Sequence, residues 1–203
     1  MANQNKPFGL APVRNISASK FNEAGTRYYI PSTDTFAYYI GDVVLSAAAG
    51  DLNGVCGVIK DVAGTSTERG VIVGVEVANV NGVSLVGSAL ALENTSVPVT
   101  KLKDYYVYVV DDPDVLFSVQ GDATATNQVA TKVNNNASLT MAVGGTATSC
   151  SGTVINSSTI ATTAALNVKL MGLLQIPNNA FGAYSVWQCK INQHELMGNT
   201  AGV

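Results

Sequence analysis

The chain is short of charge. Only 12% of its 203 residues are Asp, Glu, Lys or Arg, about half of what a soluble domain ordinarily carries. There is little charged surface to keep a lone molecule dispersed, so much of the exterior is expected to be covered by partners or by copies of the chain. No basic stripe stands in for phosphate neutralisation, and the net charge is −3, so direct nucleic-acid binding is not expected. Histidine occurs once, at His194 near the C-terminus, and reads as an exposed tail residue rather than a general base. Cysteine occurs three times, at Cys56, Cys150 and Cys189, an odd set without CxxC spacing. That excludes a clustered zinc site or disulfide framework and suggests small core residues in a reducing compartment.

Other absences narrow the class further. The opening MANQNKPFGLAPVR has no apolar stretch of the signal-peptide kind, and no run approaches the ~18 apolar residues of a membrane span. The expectation is a protein made in the cytoplasm, with no membrane partner. No GxSxG, P-loop, GxGxxG or HExxH pattern occurs, and no acid/base pair of glutamates is suggested by spacing. No cofactor, no metal and no catalytic residue is therefore expected. The acidic group Asp104, Asp111, Asp112, Asp114 and Asp122 lacks EF-hand spacing, and turn chemistry accounts for its central members without calcium.

What is present is strand signal. Hydrophobic residues make up 47% of the chain, and nowhere do they recur at helical spacing over three turns. From residue 36 onward, short β-branched and aromatic runs alternate with Gly and Asx turns: 36–45, 54–62, 71–77, 83–92 and 96–102. Asn81-Gly82 reads as a hairpin turn. The clearest unit is YYVYVV, then Asp111-Asp112-Pro113-Asp114, then VLFSVQ: a strand, a turn fixed by proline and capped by carboxylates, and a second strand. Strand-like alternation returns at 164–177 and 183–191, joined by a turn at 178–182.

These patterns predict an all-β protein, a β-sandwich or jelly-roll-like barrel, as one domain over 36–203. Residues 1–35, punctuated by Pro7, Gly9, Pro12, Gly25 and Pro31, read as an extended N-terminal arm. Within 123–168 the only charged residue is Lys132, and that tract reads as a charge-poor excursion of loops and edge strands with a sticky surface. The tyrosine pairs at 28–29, 38–39 and 105–106 resemble sugar-stacking platforms, though alternation should turn one member of each pair inward.

Four phrases carry a resemblance: NKPFGLAPVR (5–14), YYIPSTDTFAYYIGDVV (28–44), YVYVVDDPDVLFSVQ (106–120) and NAFGAYSVWQCKINQHEL (179–196). They resemble the small head-surface proteins of tailed bacteriophages known as cement or decoration proteins. The resemblance implies a β-rich structural virion protein that binds the outer surface of an icosahedral capsid. Its implied partners are the major capsid protein and itself, as a homodimer or homotrimer. The arm residues Lys6, Phe8, Arg14, Lys20, Phe21 and Arg27 are then the capsid-contact candidates. The alternative from another class is a carbohydrate- or receptor-binding β module of a tail or fibre.

Overall fold

A computed structural model describes residues 3–17, 21, 25–64, 67–76, 96–142 and 150–197. The protein is all-β, as the alternation predicts: thirteen strands and a single 3-10 turn at Ala130–Lys132 make up the described regular structure. The strands are β1 (Ala11–Asn15), β2 (Thr26–Ile30), β3 (Tyr38–Tyr39), β4 (Val43–Ser46), β5 (Val58–Lys60), β6 (Gly70–Val75) and β7 (Ser96–Val97). There follow β8 (Tyr105–Val110), β9 (Val115–Gln120), β10 (Asn136–Thr140), β11 (Val154–Ala161), β12 (Val168–Leu173) and β13 (Val186–Ile191).

They form a five-stranded sheet in the order β2-β8-β6-β4-β5, a six-stranded sheet in the order β1-β9-β13-β12-β10-β11, and a small pair, β3-β7. Every ladder is antiparallel. Both large sheets curl: the five-stranded one until its edges β2 and β5 meet, the six-stranded one until its edge β11 reaches β9, leaving β1 outside. A parallel bridge, Tyr29 to Gly57, joins the start of β5 to β2, and another, Gly121 to Ile155, joins β11 to the end of β9. Curling in this way removes most of an exposed edge, which is how small antiparallel proteins avoid sheet-to-sheet aggregation.

The two curled sheets share one wiring. Numbering each set of five in chain order, β2, β4, β5, β6, β8 and β9, β10, β11, β12, β13 both lie in the order first, fifth, fourth, second, third. In both, the parallel bridge joins third to first. Two halves of the chain with no evident sequence repeat therefore build the same ring.

Alternation fills each ring. Tyr28, Ile30, Val44, Val58, Ile72, Val107 and Val109 turn into the first, where Tyr38 and Val97 from β3 and β7 join them. Phe117, Val119, Ala137, Leu139, Ile155, Val168, Leu170, Trp187 and Cys189 fill the second. Val43, Val71 and Val110, on the other face of the first sheet, belong to that second cluster and pack the sheets together. The link from β8 to β9 is the seam. The Asp111-Asp112-Pro113-Asp114 turn sits where expected, but β8 and β9 lie in different sheets, so it is a corner and no hairpin. Asp112 Oδ1 accepts from the Asp114 amide at 2.8 Å, and Asp111 accepts from Thr26 Oγ1 and the Tyr28 hydroxyl.

Three expectations need correction. The described residues of 1–35 do not stand off as an arm. β1 pairs with β9 (Ala11 with Ser118, Asn15 with Val115), and β2 pairs along its whole length with β8. Leu10, Tyr28 and Ile30 are buried. The punctuation misleads because both strands are short and glycine here serves close approach. Gly9 and Gly41, both at positive φ, face one another so tightly that a Cβ on either would strike the other segment's backbone.

Nor is 123–168 an excursion. It supplies β10 and β11, the second and third strands of the second ring, with Ala137, Leu139, Ile155 and Ile160 buried. Its Ser, Thr and Asn side chains do the work that charges do elsewhere: Ser157 binds Asp122, the Thr159 hydroxyl takes the Ser138 amide, and Asn136 holds the Thr163 carbonyl. Third, Cys56 is exposed; only Cys189 of the three cysteines is a core residue. The expected strand at 83–92 and the Asn81-Gly82 turn lie outside the described residues.

Candidate functional site

The five described contact candidates do not form one site. Phe8 and Phe21 come together, with Leu10, Pro12, Val13, Ile40 and Val73, around an apolar cleft of about 520 Å³. Strand β1 forms one wall of it, and β1 is the outermost strand of its sheet. Phe8 also lines a second cleft of about 450 Å³, with Lys6 and with Ile176, Pro177 and Tyr184 from the turn between β12 and β13. That cleft is pinned by polar contacts. The Lys6 amide donates to Gln120 Oε1 at 3.1 Å, Gln120 Nε2 donates to the Gln4 carbonyl, and Asn3 Nδ2 donates to the Ala180 and Ala183 carbonyls. Phe8 is therefore the hinge between two surface clefts, and the sequence signal for it was an aromatic residue amid Pro and Gly.

Arg27 lies elsewhere, on the outer face of the first sheet. Its guanidinium makes a two-point contact with Glu76, at 2.5 and 3.1 Å, and stacks 3.5 Å above the Tyr106 ring. Arg14, half-buried on β1, pairs across to Leu116. Lys20 lies outside the described residues.

A third constellation was missed by sequence reasoning. His194 is buried, 2% exposed, and its segment is bonded to Glu68, whose amide donates to the Gln193 carbonyl and whose carbonyl accepts from the Glu195 amide. The Glu68 carboxyl is itself buried and receives Asn167 Nδ2 at 2.5 Å. Glu68 precedes β6 of one sheet and Asn167 precedes β12 of the other, so this bond crosses the seam. On the same seam, Arg69 Nε donates to the Tyr28 hydroxyl at 2.7 Å, and its guanidinium lies 3.8 Å from Asp111 and 3.6 Å from Glu195. Glu195 in turn accepts from the Ser46 amide and hydroxyl. Six segments distant in sequence meet here, around Tyr28, Ser46, Glu68, Asp111, Asn167 and His194, which is why spacing gave no signal.

Burial pushes the Glu68 carboxyl up to about 9, against the pull of Asn167 in the other direction. Burial likewise lowers His194 from its ordinary value, with the Arg69 charge adding to it. Both groups are then neutral in the fold near pH 7. Glu68 stays protonated in the folded chain up to about pH 9 but ionises near 4.5 when unfolded. Its stabilising contribution is thus complete below 4.5 and is lost as pH rises towards 9. His194 works in the opposite direction: its contribution is present above its unfolded value and lost as pH falls through its lowered folded value. Glu68→Gln should therefore flatten the alkaline side alone. Thermal melts at pH 5 and pH 8.5 should show the native chain losing more melting temperature than the variant. Equal losses would mean that Glu68 is not buried as a neutral acid.

Among the described residues, no group of three or more His, Cys, Asp or Glu side chains is placed to hold a metal ion. No described helix is long and apolar enough to cross a membrane. Compared with known proteins, the chain matches no family model, no curated protein and no solved structure.

Proposed function

We propose that this chain is a structural virion protein that binds the outer surface of an icosahedral phage capsid and stabilises it as a cement or decoration protein. The observation that carries the reading is the apolar cleft beside β1, where Phe8 and Phe21 meet at the outer edge of a sheet. An edge strand offers unpaired main-chain groups, and an apolar cleft beside it offers side-chain pockets; together they suit an extended segment of a shell subunit. The resemblance of the phrases at 5–14, 28–44, 106–120 and 179–196 to head-surface proteins supports the same partner. Many weak contacts of this kind on a preformed lattice sum to high avidity. Self-association as a dimer or trimer over capsomer junctions completes the proposal, since closed symmetry covers a charge-poor exterior without open-ended stacking.

The test is co-sedimentation with expanded, DNA-free capsids of the phage whose genome encodes the chain. The native protein should saturate the particles, and Phe8→Asp should bind about tenfold or more weakly, because a carboxylate in an apolar pocket costs at least the roughly 1.4 kcal/mol of one decade. Particles lacking the protein should also release DNA sooner on heating. Absence of the native protein from the pellet, or unchanged binding by a folded Phe8→Asp, would overturn the assignment.

A further inference from the structure

The outer face of the first sheet carries a different kind of surface, formed by residues that line neither cleft. Register places Tyr29 opposite Tyr106 and Arg27 opposite Tyr108, so these four side chains share one face while Tyr28 and Val107 point into the ring. Tyr29, Tyr106 and Tyr108 are all partly exposed. The Tyr29 and Tyr106 rings lie 5.8 Å apart and tilted, forming a shallow V. Tyr108 is flanked by Gly74 on β6 and by Gly25 ahead of β2, and a Cβ added at either glycine would touch it. Glycine on both sides means that neither of these two positions places a side chain against Tyr108, whose cross-strand partner is Arg27.

Polar groups frame these rings and are already held in place. Glu76 fixes Arg27 over Tyr106 by the two-point contact. Asp51 accepts from the Tyr106 hydroxyl at 2.7 Å and from the Asn53 and Val55 amides, and those hydrogen bonds hold its carboxyl below the usual range. The exposed Asp104 anchors the Ser32 amide at 2.8 Å. Side chains fixed before a ligand arrives lose little rotamer freedom on binding it.

We propose that this face binds a neutral oligosaccharide. Arg27 covers one face of Tyr106, so Tyr29 and Tyr108 are the rings that would accept the C–H faces of pyranose units, and a framed set of carboxylates and a guanidinium offers acceptors and donors to sugar hydroxyls. Arg27 and Glu76 cancel in charge, while Asp51 and Asp104 leave the rim negative, which selects against acidic sugars. A purely apolar partner would leave these carboxylates desolvated and is disfavoured by the same groups. This inference does not rest on the capsid reading, because Phe8 and Phe21 line clefts that none of these residues borders.

The experiment is saturation-transfer NMR and calorimetry on the full chain with hexaoses of glucose, of N-acetylglucosamine and of galacturonic acid. At least one neutral hexaose should bind, and the galacturonic hexaose should bind more weakly than it. Tyr108→Ala should weaken the neutral hexaose about tenfold, the size of one well-placed aromatic contact. Tyr108→Phe should restore binding, since the ring and not the hydroxyl makes the contact. Phe8→Asp should leave sugar binding untouched. No binding of either neutral hexaose at ~10 mM, well above the millimolar constants of weak ligands, would overturn the proposal. So would a folded Tyr108→Ala that binds as well as the native chain.

Discussion

A chain starting at Pro31 will not give a cooperatively folded protein. Deleting residues 1–30 removes β1 and β2 together, and with them the buried side chains of Leu10, Tyr28 and Ile30. Burying each such side chain stabilises a fold by roughly 1.5–3 kcal/mol, and a domain's whole margin is roughly 5–15 kcal/mol. The deletion also uncovers one edge of β9 and one edge of β8, so backbone groups that were paired must find water or another chain. Far-UV circular dichroism with a melting curve, together with the soluble yield, decides the matter. A soluble truncated chain with a sharp transition would restore the idea that 1–35 is a separable arm.

The second large effect centres on Trp187. It is fully buried on β13, its ring centroid 5.5 Å from that of Phe181, and it belongs to the cluster that fills the second ring. Trp187→Ala should cost about 3–5 kcal/mol, the usual range for emptying an aromatic site in a packed core. The indole Nε1 has no hydrogen-bond partner among the described residues. Trp187→Phe therefore gives up volume but no polar contact, and should cost much less than the alanine change. Urea denaturation of the three proteins measures both differences. Equal loss for Phe and Ala would mean that the indole nitrogen matters more than the volume it occupies.

The legible part of this fold was the side-chain pattern. The β-branched and aromatic composition of 105–110 and 115–120 marked β8 and β9, although β9 is buried along its whole length, and proline with three aspartates marked the corner. What alternation cannot encode is which strand lies beside which. The shared first-fifth-fourth-second-third order is a property of main-chain hydrogen bonds, to which dissimilar side chains contribute equally. The same limit hid β1 and β2. TRYYI is strand-like, but its neighbours Gly25 and Pro31 drew the eye to irregular chain. At the candidate sites, Phe8 and Phe21 were visible as apolar residues without a periodic reason to be there. The Glu68, Asn167 and His194 group was invisible, because a buried acid differs from an exposed one only in surroundings that the sequence scatters over more than a hundred positions.

The pairing of β1 with β9 has a consequence in time. Ala11 and Ser118 meet across 107 positions of chain, so during synthesis at roughly 5–20 residues per second β1 waits about 5–20 s for its partner to emerge. Through that interval the β1 backbone has no strand partner, and Leu10 beside it has no finished core to rest on. A nascent chain further along the same message presents an identical β9 while this β1 is still waiting. Crowded translation therefore favours exchange of the first strand between copies, whereas slow or dilute synthesis favours closure within one copy.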